Sequence, residues 1–381
     1  PADSLPGWRL LPQRLQREFL RRSWPASVAS RLQPHPLPDL LHSTLIRSSF
    51  FRGSGFRRRL ADWHYLWHDR HVANHHLCHG LGAVIAVEDA ATETLLAARR
   101  RGSYTILELP TLHHETVARW HRQEAERNPQ FLDMLTEVQV QDWKIKRKKH
   151  ALEAADLILV PSQLVSKSCL DAGIPFEKLR VIPYGASTPS EPAVELQNEL
   201  RDPNKPVVLY VGQVTPAKGI HDLVSAWQKL PTTDPWNRAE LWLVGQMYYP
   251  REWQESLPPS VRYFGVLPFQ ELEHFYRRAW MFVLPSLVDG MSLVCLEAMS
   301  FGLAVLITER CGVQDLITPG VNGWITPAAQ PEALLELLKN LLANLPICRS
   351  AGVEARLTAR AHSWEDYRHQ VRTTLAPFLE S

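Results

Sequence analysis

Residues 281–324 read MFVLPSLVDGMSLVCLEAMSFGLAVLITERCGVQDLITPGVNGW. Residues 281–284 are a short apolar run stopped by Pro285, the pattern of a buried strand. Residues 286–291 form a loop that contains Gly290. Ser292 is placed to cap a helix over 293–301, and Gly302 to close that helix in a left-handed conformation. Residues 304–308 are a second apolar run of strand type. Strand, loop, helix, strand predicts a right-handed crossover within a parallel sheet, so the fold class is α/β.

Asp289 falls in the loop just before the helix, and Glu297 about one turn inside it. Between them the first helical turn offers free backbone N–H groups and a positive dipole end, a place for a phosphate. Carboxylates on either side of an anion are unsuited to holding it, but they accept hydrogen bonds from hydroxyls. Hydroxyls flanking a diphosphate describe a nucleotide sugar, with the sugar at one end and the ribose at the other. At this level the plainer reading stays open: Asp289 favours the helix dipole and Glu297 is a solvated helix acid.

The segment 289–302, DGMSLVCLEAMSFG, resembles the acid-x7-acid motif of family 4 glycosyltransferases. These have the GT-B fold, two Rossmann-like domains whose parallel sheets face an interdomain cleft. The family usually carries Glu at the first position, so Asp289 is one methylene short. The likeness runs from about residue 151 to the C-terminus, and more weakly over 80–114. It implies a retaining hexosyltransferase that takes a nucleotide-diphosphate sugar as co-substrate, with no other cofactor and no bound metal. The acceptor would be a hydroxyl of a glycan, a lipid or a small molecule. Glu297 would hold the ribose and Asp289 the sugar. Backbone of Gly290, Met291, Ser292, Leu293 and Val294 would line the phosphate.

A second nucleotide-side element opens at residues 207–211, a strand followed by Gly212, Gln213 and, after a short turn, Lys218 and Gly219. A glycine turn between strand and helix brings backbone close to a ligand, and a lysine there supplies a point charge for a diphosphate. The family has Arg then Lys at this spacing. Lys218 matches, whereas Gln213 lacks the charge. Strands are also expected at 241–244 and 261–266. By resemblance, backbone at Gly265 and Val266 meets the nucleotide base.

In the first half, strands are expected at 82–87, 103–109, 155–160 and 179–182, with Ser162 capping a helix over 163–172. Residues 120–150 read as one long polar helix. Open α/β sheets bind ligands off the C-terminal ends of their strands, which singles out Glu108, His113, His114 and Glu115. The family's matching strand commonly ends in a His facing the donor sugar. Glu108 stands near that place, so His113 and His114 are catalytic candidates or surface histidines in a loop. The expected domains are 1–190, 191–360, and a C-terminal helix over 361–381 crossing back to the first domain. Residues 187–204, rich in Pro and Glu, read as the linker.

The net charge of +2 is too small to argue for nucleic acid. Five cysteines without a C-x-x-C pair argue against a disulfide framework and for a reducing, cytoplasmic setting. No apolar run approaches the ~20 residues of a membrane span. Residues 1–56 carry Arg14, Arg17, Arg21 and Arg22, and residues 144–149 read KIKRKK. Each is a solvated face or, on the sharper reading, a peripheral contact with an anionic membrane or acceptor at the inner face. The resemblance also implies a first strand ending in a Gly-rich turn near the N-terminus; the sequence shows none, and either it has been trimmed or Gly53 and Gly55 belong to a degenerate connection. Residues 62–79 hold six histidines on a helix read as amphipathic, with Trp63, Leu66 and Trp67 inward, rather than as a zinc site. Two alternatives are carried: a nucleotide-sugar-binding protein weakened in catalysis, and a GT-B epimerase or phosphorylase.

Overall fold

The computed structural model describes residues 54–78, 80–135, 138, 140–187 and 200–379. The arginines near the N-terminus, Gly53 and most of the expected linker lie outside the described residues. The chain divides into two compact units, Pro1–His68 and Asp69–Ser381. The described part of the first is the start of helix α1 (Ser54–His75), which runs on into the second. Gly55 is helical and marks no turn. Trp63 is 45% exposed, so it is not one of the residues that face inward on this helix.

Both sheets belong to the second unit. The first is built from β1 (Ala83–Val87), α2 (Thr92–Arg100), β2 (Tyr104–Glu108), α3 (His114–Arg127), α4 (Asp142–Ala154), β3 (Leu157–Val160), α5 (Gln163–Asp171) and β4 (Leu179–Val181). Its strands are parallel, in the order β1-β2-β3-β4. The unbroken apolar run Leu157-Ile-Leu-Val160 becomes a strand buried on both faces, as parallel sheets require. Ser162 caps α5 as expected, its Oγ accepting from Val165 N at 3.2 Å.

Where one polar helix was expected over 120–150 there are two. Pro129 has no N–H to continue the ladder and disfavours helix at Asn128, so α3 stops at Arg127 and a short 3-10 turn follows. The basic run lies on α4 and is largely consumed in ion pairs. Arg147 meets Asp69 at 2.5 Å, Lys148 meets Glu88 at 3.5 Å, and Lys149 meets Glu115 at 3.2 Å. It knits α4 to its neighbours, so it is neither a fully solvated face nor a row of free cations.

The second sheet comprises β5 (Val207–Val211), α6 (Ile220–Gln228), β6 (Glu240–Val244), α7 (Arg251–Glu255), β7 (Val261–Tyr263), α8 (Phe269–Arg278), β8 (Met281–Leu284), α9 (Leu293–Ser300), β9 (Ala304–Thr308) and β10 (Gly323–Thr326). All pairs are parallel, in the order β10-β9-β8-β5-β6-β7. The chain therefore fills one side from β5 to β7, returns to the middle with β8, and fills the other side. Leu209, Tyr210, Phe282 and Ile307 are fully buried; each such side chain stabilises by about 1.5–3 kcal/mol.

Three helices close the chain. α10 spans Pro331–Ala343. α11 (Leu345–Arg360) follows at once and was not foreseen. Its small residues let it lie against the turn after α9: a Cβ on Gly352 would sit 2.2 Å from Gly302 O. α12 (Trp364–Leu379) packs Leu375, Val371 and Tyr367 against Ile106, Leu157, Leu159 and Ile182 of the first sheet. Phe378 stacks on Tyr104 at 3.9 Å.

Candidate functional site

The strand order of the second sheet reverses between β5 and β8. At such a switch point the loops leaving the two strands diverge and open a crevice at their C-terminal ends. β5 leads into Gly212, Gln213 and a short 3-10 turn ending at Lys218; β8 leads into Asp289 and Gly290. Lys218 Nζ donates to Asp289 Oδ2 at 2.6 Å, across 71 residues of sequence. The lysine side chain is 27% exposed and the aspartate 10%. Burial acts against the charged amine, but the Asp289 carboxylate outweighs it and holds Lys218 above the ordinary lysine range.

Gly219 makes this geometry accessible. Its φ is +68°, and a Cβ there would sit 1.9 Å from Pro285 O. The turn after β5 thereby lies directly on the loop after β8. Gly212 is half-buried and Gln213 exposed, with the Gln213 carbonyl accepting from Tyr210 OH at 2.6 Å.

α9 starts beside Asp289. Ser292 stands at its N-cap position, but its side chain makes no capping bond, contrary to expectation; its carbonyl instead accepts from Cys295 N and Leu296 N. The N–H groups of Leu293 and Val294 have no acceptor among the described residues, as helix geometry dictates for the first turn. Leu293 is 40% exposed there, and Met291 is buried. One turn in, Glu297 Oε2 accepts from Tyr276 OH at 3.0 Å. Burial raises the Glu297 pKa above the usual carboxylate range, with the tyrosine bond opposing it. Glu297 is thus a half-buried, oriented acceptor, not a solvated helix acid. Gly265, with φ +71°, and exposed Val266 follow β7.

The first sheet delivers its loops to the same place. A Cβ on Gly290 would sit 2.1 Å from Pro110 O, just after β2. Ser162 Oγ, after β3, donates to Gly290 O at 2.7 Å, and Gln163 N to Asp315 Oδ2 at 2.6 Å. The strand ends of the two sheets therefore face each other across the Asp289–Gly290 loop. His113 and His114 are both buried, which removes the reading of surface histidines in a loop. His113 caps α3 through Nδ1, accepting from Glu115 N at 3.4 Å. Among the described residues His114 has no hydrogen-bond partner at either ring nitrogen, and burial first, then the neighbouring His113, pushes its pKa down to about 4. Glu108 accepts from Tyr184 OH at 3.2 Å and Tyr367 OH at 3.5 Å, which ties it to the structure around α12.

Further along α3, residues that sequence reasoning passed over reach the second sheet's helices. Arg127 donates to Asp222 Oδ1 at 2.7 Å and to Glu124 Oε2 at 2.7 Å, while His221 Nε2 lies 2.7 Å from Glu124 Oε1. One ligand atom each from Glu124, His221 and Asp222 lies within 4.8 Å of the others, but the guanidinium already supplies the cation between the two carboxylates. Arg310 stacks over Trp120 at 4.6 Å. The only sequence signal was a run of charge on a helix facing inward. A separate pocket of about 500 Å³, lined by Arg70, Arg100 and Arg101, lies by the residues leading into β2, at the opposite end of the first sheet.

Residues 194–358 match the family model Glycosyl transferases group 1. The chain is 30% identical over 244 residues to the sulfoquinovosyl transferase SQD2 of Arabidopsis thaliana, covering 60% of this chain and 46% of that protein. It is 25% identical over 227 residues to a lipopolysaccharide 1,2-N-acetylglucosaminetransferase of Salmonella typhimurium, covering 55% and 59%. The chain thus spans about half the length of the curated relatives it matches. Among solved structures it is similar to sucrose-phosphate synthase from Thermosynechococcus elongatus, with TM-score 0.63, 20% identity and 90% and 80% of the two chains covered. It is also similar to Anabaena Alr3699/HepE, solved in complex with UDP and glucose, with TM-score 0.60, 18% identity and 77% and 78% covered.

Proposed function

We propose that this chain, a GT-B protein whose second sheet is of the group 1 glycosyltransferase kind, transfers a sugar from a nucleotide-diphosphate sugar to an acceptor hydroxyl with retention at the anomeric carbon. The observation that carries the reading is the Lys218–Asp289 pair at the switch point, 2.6 Å apart and next to the open amides of α9. A cation, a row of N–H groups and an oriented carboxylate one turn inward form the sequence of contacts that diphosphate and ribose require.

In this reading the diphosphate rests on the Leu293 and Val294 amides and draws Lys218 to its oxygens. Charge that develops on the departing diphosphate is offset there by groups already in place, so little reorganisation is needed as the bond breaks. Asp289, released from Lys218, accepts from the sugar hydroxyls, and Glu297 from the ribose. Gln213 serves as a hydrogen-bond donor where the family carries a charge. The acceptor enters from the first sheet, past the start of α3 that carries His113 and His114. Its proton passes to the donor phosphate, and in this reading no metal is invoked, because the Lys218 amine and the α9 amides meet the leaving group. The Arabidopsis relative's name, a sulfoquinovosyl transferase, supports sugar transfer, and HepE's complex with UDP and glucose supports a nucleotide sugar as the donor class. Among the described residues no helix is long and apolar enough to cross a membrane.

A panel of UDP-, GDP- and ADP-sugars tests the reading. One of them is expected to bind and to be slowly hydrolysed to a nucleoside diphosphate. Binding without any turnover, even with acceptors, makes the chain a binder; a sugar inverted at one centre with no nucleoside diphosphate released makes it an epimerase; no binding across the panel removes the reading.

A further inference from the structure

His121 stands on α3, two turns after His114, and is 5% exposed. Among the described residues neither of its ring nitrogens has a hydrogen-bond partner. Buried polar groups are almost always bonded, and an orphan of this kind asks what it meets when the protein works. Its surroundings are specific. The charged groups that act on the ring are Glu124, one turn on along the same helix, and Lys218, from the turn before α6. Glu124 is already engaged by His221 and Arg127. Lys218 is engaged by Asp289. His121 lies one turn before Glu124 on the same face of α3, and Glu124 Oε1 is 2.7 Å from His221 Nε2, three residues past Lys218, so this face of α3 is turned toward the segment that carries Lys218; both ring nitrogens are uncommitted among the described residues.

On the proposed function's assignment of Lys218 to a diphosphate, we propose that His121 is a second cationic contact for that group: it takes a proton from solvent as the ligand settles on Lys218 and donates N–H to a phosphate oxygen. No covalent bond changes. One proton moves from solvent to the ring, one N–H···O bond forms, and the proton returns to solvent when the nucleoside diphosphate leaves. The site lacks one full charge because position 213 is Gln. A histidine from the opposite sheet restores that charge only while the ligand is present, and it draws the two halves of the site onto the same phosphate.

The electrostatics agree with this geometry. Burial is the main cause that lowers the His121 pKa to about 4; Glu124 raises it and Lys218 lowers it. The free ring is therefore neutral. A diphosphate cancels the repulsion from Lys218 and adds attraction of its own. An opposite charge within hydrogen-bonding range raises such a pKa by about one to three units.

The test uses the full chain and the nucleotide sugar that it binds among UDP-, GDP- and ADP-glucose. The diphosphate of a nucleotide sugar is a diester and carries no group that titrates near neutrality, so proton uptake on binding belongs to the protein. For a rise of about three units, affinity at pH 6 is about tenfold that at pH 8. Calorimetry in two buffers of different ionisation heat is expected to show proton uptake at pH 6. In His121→Gln the pH dependence and the uptake are expected to vanish, and affinity at pH 6 is expected to fall about tenfold. A variant that keeps the native pH dependence and uptake overturns the assignment. So does a native protein that binds equally at both pH values. If no nucleotide sugar binds the native protein at either pH, the donor reading falls and takes this assignment with it, a result distinct from the other two.

Discussion

Asp289→Asn separates the two partners that the free protein joins. Lys218 Nζ sits 2.6 Å from Asp289 Oδ2, so a diphosphate must draw the amine away from a carboxylate. Asparagine keeps the size and a carbonyl acceptor but removes the charge. A hydrogen bond between charged groups is worth about 1.5–3 kcal/mol. The lysine side chain is 27% exposed, so solvent screens part of this. A discount of roughly half leaves about 0.8–1.5 kcal/mol, or roughly four- to twelvefold in affinity. A nucleoside diphosphate without a sugar is therefore expected to bind Asp289→Asn about five- to tenfold more tightly than the native protein. The nucleotide sugar loses the carboxylate that accepts its hydroxyls, and turnover is expected to fall about 100-fold. Calorimetric titration with the diphosphate, alongside rates of donor consumption, reads both effects. Weaker diphosphate binding in the variant, or equal changes for diphosphate and nucleotide sugar, would refute the reasoning.

Gly219→Ala is expected to lower stability by more than about 2 kcal/mol and to abolish donor binding, because a Cβ at φ +68° meets Pro285 O at 1.9 Å and forces Lys218 away from Asp289; urea unfolding and a binding titration check this. Arg127→Met leaves the buried Glu124 and Asp222 carboxylates facing each other without the guanidinium, and unfolding free energy is expected to drop by about 2–4 kcal/mol, with recovery in part when Glu124→Gln is added. His114 and His121 fold with pKa values near 4, below the histidine value of 6.5. Their neutral forms are favoured by the fold, so their contribution is full above pH 6.5 and is lost as pH falls toward 4. Unfolding midpoints are expected to drop across that window, by less in His121→Gln than in the native protein.

Much of this architecture could be read from punctuation. Pro285 bounds β8, Gly212 bounds β5, and Gly302 ends α9 at φ +67°. Apolar runs between such residues became strands at the expected positions, because a fully buried parallel strand has no polar face to blur its edges. The failures have equally local causes. The polar stretch after His114 carries little apolar periodicity, so the break at Pro129 was hidden by charge on either side. α11 packs through Ala351, Gly352, Ala355 and Ala359, a buried face of small residues that reads as weakly apolar in sequence. The acid spacing from Asp289 to Glu297 was visible from sequence alone. The Lys218–Asp289 bond was not, since it joins residues that follow different strands, and only the strand order brings them together.

A structure of the protein bound to a nucleoside diphosphate tests the central assignment most directly. The account predicts the diphosphate on the Leu293 and Val294 amides, Lys218 swung from Asp289 to a phosphate oxygen, and the ribose hydroxyls on Glu297. A diphosphate held elsewhere, with Lys218 still bonded to Asp289 and Glu297 still facing only Tyr276, would contradict it.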